Sequence, residues 1–120
     1  FFNFSTHLHN HGIEVGIALL PQTEVATIAP ALEFIDHVLI FSGNLGYQGG
    51  GKVDYDLLRK VDQVRQLRPA IEIGWDGGVT DKNVARLAHA GVDVINVGSY
   101  IQQTDRPGTA YATLQTLVRS

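Results

Sequence analysis

The sequence has no cysteine and no methionine. Without thiols there can be no disulfide, no thiolate metal site and no cysteine nucleophile. That absence suits a reducing compartment, so a cytoplasmic location is the expectation. Methionine is missing even at position 1, and the chain opens on Phe1-Phe2-Asn3-Phe4, which carries no cap or turn signal. A sequence that starts inside a larger reading frame, or that has lost its N-terminus, is therefore expected. Charge is also scarce: charged residues make up 18% and the net charge is −3. This argues against nucleic acid or an anionic membrane as a partner. No run approaches the roughly 18 apolar residues that span a bilayer, and no signal-peptide pattern opens the chain.

What is present is apolar and rich in turns. Hydrophobic residues make up 44%, enough to bury a core, and there are 13 glycines. Apolar runs alternate with helical spacing four times. Ile13–Leu20 leads into a helix with Thr23 as its cap and Val25, Ile28 and Leu32 on its inner side. Val38–Phe41 leads through the glycine-rich stretch Gly43–Gly51 to a helix capped by Asp54, with Leu57, Leu58, Val61, Val64 and Leu67 on one face. Ile71–Trp75 ends in Asp76-Gly77-Gly78. Thr80 then caps a helix carrying Val84, Leu87 and Ala88, stopped at Gly91. Val92–Val97 ends in Gly98-Ser99, and Pro107 opens a last helix with a stripe of Tyr111, Leu114, Leu117 and Val118. Phe4 and Leu8 suit one further helix before Ile13.

Strands alternating with helices imply a parallel sheet with right-handed crossovers. Residues 1–120 thus read as a single partial α/β domain of about four βα units, repeating at the level of fold without visible identity between units. A closed (β/α)8 barrel needs eight strands and about 250 residues. Four units make a half-barrel, to be completed by a missing half or by a second copy in a homo-oligomer.

In parallel α/β folds the loops after the strands build the site. Here glycine concentrates in those loops, where backbone N–H groups and helix N-termini can hold an anion such as a phosphate monoester. Glycine also serves plain turning. Asp76 closes an apolar strand, so its carboxylate is expected at the barrel mouth, with Trp75 beside it excluding water. There it can move a proton next to a carbonyl or bind a metal. The other reading is an aspartate that stabilises its own turn.

Taken together, Ile73–Val79 and Val94-Ile95-Asn96-Val97-Gly98-Ser99 resemble the last two strands of the ribulose-phosphate 3-epimerase family. In that family an Asp-Gly-Gly-Val is followed one unit later by a Gly-Ser. Ala90-Gly91-Val92-Asp93 is similar to its approach to the last strand, and Gly12–Thr23 to its Gly-x-x-x-Gly-x-Ala-x-x-Pro-x-Thr segment. The resemblance runs from Gly12 to the C-terminus and implies the C-terminal half of a (β/α)8 barrel. Its implied activity interconverts D-ribulose 5-phosphate and D-xylulose 5-phosphate through a cis-enediolate. Two aspartates serve as acid and base, and a divalent metal, zinc foremost, is held by two His and the two Asp. Asp76 matches the second aspartate, hence a catalytic and metal-ligating residue. Gly49, Gly50, Gly77, Gly78, Gly98 and Ser99 match the phosphate grip. The other aspartate and both histidines belong to the first half of the barrel.

Two departures bear on the substrate. The loop Leu45–Gly51 lacks the family's proline, with Tyr47 standing for its phenylalanine, and Ser42 takes the place of a methionine near the metal. Another ketose phosphate therefore remains an alternative, as does a hexulose-phosphate synthase or decarboxylase relative. A non-catalytic half-barrel that binds sugar phosphate is a third. His7, His9 and His11 suit a solvated helix end better than a metal site, His37 a strand start and His89 an outer helix. Trp75 reads as core or as substrate contact. Ser99 has no base nearby and reads as a phosphate ligand.

Overall fold

The computed structural model describes residues 2–42, 55–97, 101 and 105–119. The loop Gly43–Gly51, the expected cap Asp54, and Gly98 and Ser99 lie outside the described residues. The elements follow the expected alternation. Helix α1 (Phe2–Asn10) precedes β1 (Gly16–Leu19), and α2 (Val25–Ile28) continues as a 3-10 segment (Ala29–Phe34). Then come β2 (His37–Phe41), a 3-10 turn (Tyr55–Leu57), α3 (Leu58–Leu67), β3 (Glu72–Asp76), α4 (Val84–His89), β4 (Val94–Asn96) and α5 (Pro107–Arg119). The sheet has four strands in the order β1-β2-β3-β4, and every pair is parallel.

Alternation along the strands sorts the side chains onto two faces. Leu19, Val38, Ile40, Ile73 and Trp75 are fully buried against Val25, Leu32, Val61, Val64, Val84 and Leu87 of the helices. The register puts the alternate residues on the other face. There Gly16, His37 and Glu72 form one row, Ala18, Leu39, Gly74 and Val94 the next, and Phe41, Asp76 and Asn96 the row at the carboxyl edge. On this inner face Ala18, Val94 and Asn96 are exposed, and Leu39, Phe41 and Asp76 are half-buried. In the first row His37 pairs with Glu72 at 2.9 Å. Its ring lies over Gly74, where a Cβ would stand 2.8 Å away.

Several local expectations need correction. Glu24, not Thr23, precedes the first turn of α2, and it forms no side-chain cap. The carbonyls of Thr23, Leu20 and Pro21 instead accept bonds from the buried ammonium of Lys60. Thr80 does act as a cap, its hydroxyl accepting the Lys82 N–H and its own N–H meeting Asn83 Oδ1, but the helix proper starts a turn later. In α3 the buried stripe includes Lys60, and Leu67 is exposed. In α5 it is Ala110 and Leu114 that are buried, with Tyr111 exposed, because the helix is phased by its packing against α4. Gly91 stops α4 at φ +106°, as expected. His9 bonds Asp36 at 2.8 Å and so ties α1 to the sheet.

The fold-level repeat has a counterpart in the hydrogen bonds. Asp36 closes the amino end of the β1–β2 pair: its N–H donates to the Val15 carbonyl and its Oδ2 accepts the Val15 N–H at 2.7 Å. Asp93 does the same for β3–β4 through Ile73, accepting at 2.9 Å. These bonds superimpose Ile13-Glu14-Val15-Gly16 on Ile71-Glu72-Ile73-Gly74, Thr23-Glu24 on Thr80-Asp81, and Ile35-Asp36 on Val92-Asp93. The half-barrel is two copies of one β-α-β pattern.

Each lock also has a cationic or imidazole partner, His9 for Asp36 and Arg65 for Asp93. The Val15 N–H and then His9 hold the Asp36 carboxyl below the usual range. At Asp93 partial burial pushes upward, but the Arg65 bond, the Ile73 N–H and the Arg65 charge together outweigh it and the pKa is lowered. A lowered carboxylate contributes stability that is present above the unfolded pKa of about 3.9 and is lost as pH falls through the folded value. Thermal melts from about pH 5 to pH 2 are therefore expected to show falling stability below about pH 4. In the Asp36→Asn/Asp93→Asn variant that acid slope should be visibly shallower; an unaltered slope would remove both residues from the linkage.

Candidate functional site

The carboxyl edge of β3 combines a carboxylate with a glycine turn of positive φ. Asp76 is half-buried on the inner face, and its carboxylate makes no hydrogen bond or ion pair with the described residues. Its backbone carbonyl accepts the Ser42 N–H at 2.7 Å, which extends the β2–β3 ladder one step past Phe41. The chain then turns through Gly77 at φ +119° and Gly78 at φ +70°. Glycine is required at the first of these. A Cβ on Gly77 would stand 2.0 Å from the Ser42 carbonyl oxygen, besides occupying a backbone region that side chains avoid.

Two side chains hold this turn from the core. Trp75 Nε1 donates to the Gly77 carbonyl at 3.1 Å, and the buried Asn83 donates through Nδ2 to the Gly78 carbonyl at 2.9 Å. Across a trans peptide the N–H points opposite to the C=O. The N–H groups of Gly78 and Val79 therefore face away from Trp75 and Asn83, and neither is used by another described group. A turn with its carbonyls anchored inward and consecutive N–H groups outward suits an anion.

Asp76, Gly77 and Gly78 follow one another at the carboxyl end of β3; Gly49, Gly50, Gly98 and Ser99 lie outside the described residues. Trp75 does not wall the Asp76 carboxylate, since successive strand residues point to opposite faces and its indole is fully buried on the helix side. Ser42 was expected near a metal. It is 1% exposed and shares the helix side with Val38 and Ile40, so the inner-face neighbour of Asp76 on β2 is Phe41. On β4 that neighbour is Asn96. Neither neighbour was singled out from sequence, though counting strand parity from Asp76 through the aligned runs would have found both. Asn83 was also missed; its signal is the Thr80-Asp81-Lys82-Asn83 turn pattern.

Among the described residues, no group of three His, Cys, Asp or Glu lies together as a metal site, and no helix is long and apolar enough to cross a membrane. Gly77→Ala is expected to destabilise the fold by at least about 2 kcal/mol, because the β2–β3 ladder must open to admit the methyl. Chemical denaturation checks this, with a loss under about 0.5 kcal/mol meaning that the turn relaxes freely.

The sequence model of the ribulose-phosphate 3 epimerase family matches residues 2–102. The ribulose-phosphate 3-epimerase of Helicobacter pylori (strain 26695) is 36% identical over 116 residues, covering 94% of this chain and 54% of that protein. That of Schizosaccharomyces pombe is 34% identical, covering 92% and 48%. The chain thus spans about half the length of the curated relatives it matches. Among solved structures, 3-hexulose-6-phosphate synthase from Salmonella typhimurium superposes with a TM-score of 0.72 at 19% identity, over 95% of this chain and 53% of that one. A tryptophan synthase α-subunit mutant from Pyrococcus furiosus gives 0.63 at 21%, over 98% and 48%. Both are barrel proteins, and at such identity they bear on fold alone: α/β, part of a (β/α)8 barrel. With the parallel units, the Asp-Gly-Gly turn and relatives matched along nearly the whole sequence, the chain belongs to the ribulose-phosphate 3 epimerase family.

Proposed function

We propose that the whole protein inverts C3 of a ketose phosphate, D-ribulose 5-phosphate to D-xylulose 5-phosphate and back, with Asp76 as one of its two acid–base groups. The observation that carries this reading is the uncommitted carboxylate of Asp76 at the carboxyl edge of β3, followed at once by the outward N–H groups of Gly78 and Val79. The C3 proton lies next to the C2 carbonyl and is acidic for that reason. Asp76 takes it, the C–H electron pair forms the C2–C3 double bond, and the carbonyl pair moves to O2, giving a cis-enediolate. A proton returned to the opposite face of C3 by a group elsewhere in the protein yields the epimer. Asp76 acts as the acid in the reverse direction.

The Gly77-Gly78 turn would hold the phosphate through backbone N–H groups, with Gly49, Gly50, Gly98 and Ser99 joining it by family resemblance. The divalent metal of that resemblance, zinc foremost, fits the described residues only in part. Asp76 offers an oxygen donor, but the described residues bring no further ligands to it, so no step here passes through a metal. The inner face, with Leu39, Phe41 and Val94 uncovered, would be closed by other strands of the same barrel. The hexulose-phosphate synthase alternative rests on the departures in the Leu45–Gly51 loop and on a shared fold.

In the complete protein Asp76→Asn is expected to lower kcat for ribulose 5-phosphate by at least about a hundredfold and to slow exchange of the C3 proton with deuterated solvent to match. The substitution keeps the size of a half-buried side chain without bonds, so folding should be preserved. Undiminished turnover and exchange would remove Asp76 from the chemistry.

A further inference from the structure

We infer that Asn96 is a substrate-recognition residue that grips a hydroxyl of the sugar beside the carbon worked by Asp76. The inference rests on the epimerase reading and adds to it a residue that determines which sugar fits. Asn96 ends β4 and pairs in register with Asp76. Adjacent parallel strands lie about 4.8 Å apart, and the two side chains project from the same face. Asn96 is exposed, and its carboxamide has no hydrogen-bond partner among the described residues. The carboxylate beside it is equally uncommitted. Ionised, Asp76 can only accept; Asn96 brings two donors and an acceptor. Side by side they complement a carbon chain bearing an acidic C–H and a neighbouring hydroxyl.

The chain contains its own control. In the first copy of the β-α-β pattern the positions of Asp76 and Asn96 are held by Ala18 and Leu39, themselves register partners on the inner face. The same scaffold thus carries an apolar pair in one unit and a polar pair in the other. Around Asn96 the inner face is apolar, with Val94 two residues before it and Phe41 beyond Asp76 in the same row. Once other strands of the barrel cover this face, an amide left without a protein partner needs a ligand or water to satisfy it. The occupant that fits is a polyhydroxylated chain, with the hydroxyl next to C3, on C4, as the group bound.

Asn96→Leu makes the second unit like the first and removes every donor and acceptor at nearly constant shape. In the complete protein it should raise KM for ribulose 5-phosphate about tenfold, with kcat within about threefold, as loss of a contact made equally in ground and transition states requires. Asn96→Ser, which supplies a hydroxyl donor and acceptor in place of the amide, should recover part of the loss. The melting temperature should not fall, since no described group bonds to Asn96. Against 4-deoxy-ribulose 5-phosphate the wild type and Asn96→Leu should behave alike, because the partner hydroxyl is absent. If the wild type turns over ribulose 5-phosphate, Asp76→Asn does not, and Asn96→Leu matches the wild type within about twofold, the role of Asn96 is overturned while the epimerase reading stands. A fall in kcat at constant KM overturns the assignment to a non-reacting hydroxyl. Absence of turnover in the wild type overturns both.

Discussion

Two aspartates at the amino edge of the sheet set everything at its carboxyl edge. Asp36 and Asp93 each exchange backbone and side-chain bonds with the neighbouring strand, through Val15 and Ile73. In a pleated sheet a slip of one residue sends every side chain to the opposite face. A slip of β3 would bury Asp76 among the helices and turn Trp75 into the barrel. The lock at Asp93 therefore decides that Asp76 and Asn96 share a row. Arg65 reinforces it, reaching the Asp93 carboxylate and the carbonyls of Pro69, Ile71 and Gly91.

Lys60 of α3 and Arg68 just past its end both bond to backbone carbonyls. Lys60 holds the loop after β1 through three of them, and Arg68 holds the carbonyls of Leu32 and Ile35 at the opposite edge. One helix thereby fastens loops at both ends of the sheet, with the charges neutralised by backbone dipoles inside the fold. This fits an anion grip built from peptide N–H groups rather than from side-chain charge. The Gly77-Gly78 turn offers them because Trp75 and Asn83 hold its carbonyls inward.

Fold class and the place of Asp76 were legible because they depend on features that sequence displays directly: alternating apolar runs, and a carboxylate followed by glycines at a strand end. The neighbours of Asp76 were not, because they depend on register across strands. Ser42 and Phe41 are adjacent in sequence and only the pleat tells them apart; the buried one faces α-helix, the other faces the site. Lys60 resisted reading for a different reason. It occupies a core position by stretching an apolar stem to carbonyls that come together only in the fold. The internal repeat was hidden by one extra residue in the first loop, around Pro21, which breaks the alignment between two otherwise matching halves.

That repeat separates what builds the barrel from what works in it. The residues common to both copies are the locking aspartates, the Ile-Glu-Val/Ile-Gly strand starts and the threonine-acid helix starts, all of which serve register and helix placement. The residues that differ lie at the carboxyl edge. Where the second copy has Asp76, Gly77, Gly78 and Asn96, the first has Ala18, Leu19, Leu20 and Leu39, and its loop is closed by the ammonium of Lys60. An apolar row of Ala18 and Leu39 followed by two leucines offers a sugar phosphate little to hold. An open glycine turn beside an uncommitted carboxylate and amide offers an anion site, a base and a hydrogen-bonding partner within one row of the sheet. The register locks are common to both copies and carry the fold, whereas the polar row of Asp76 and Asn96 belongs to the second alone.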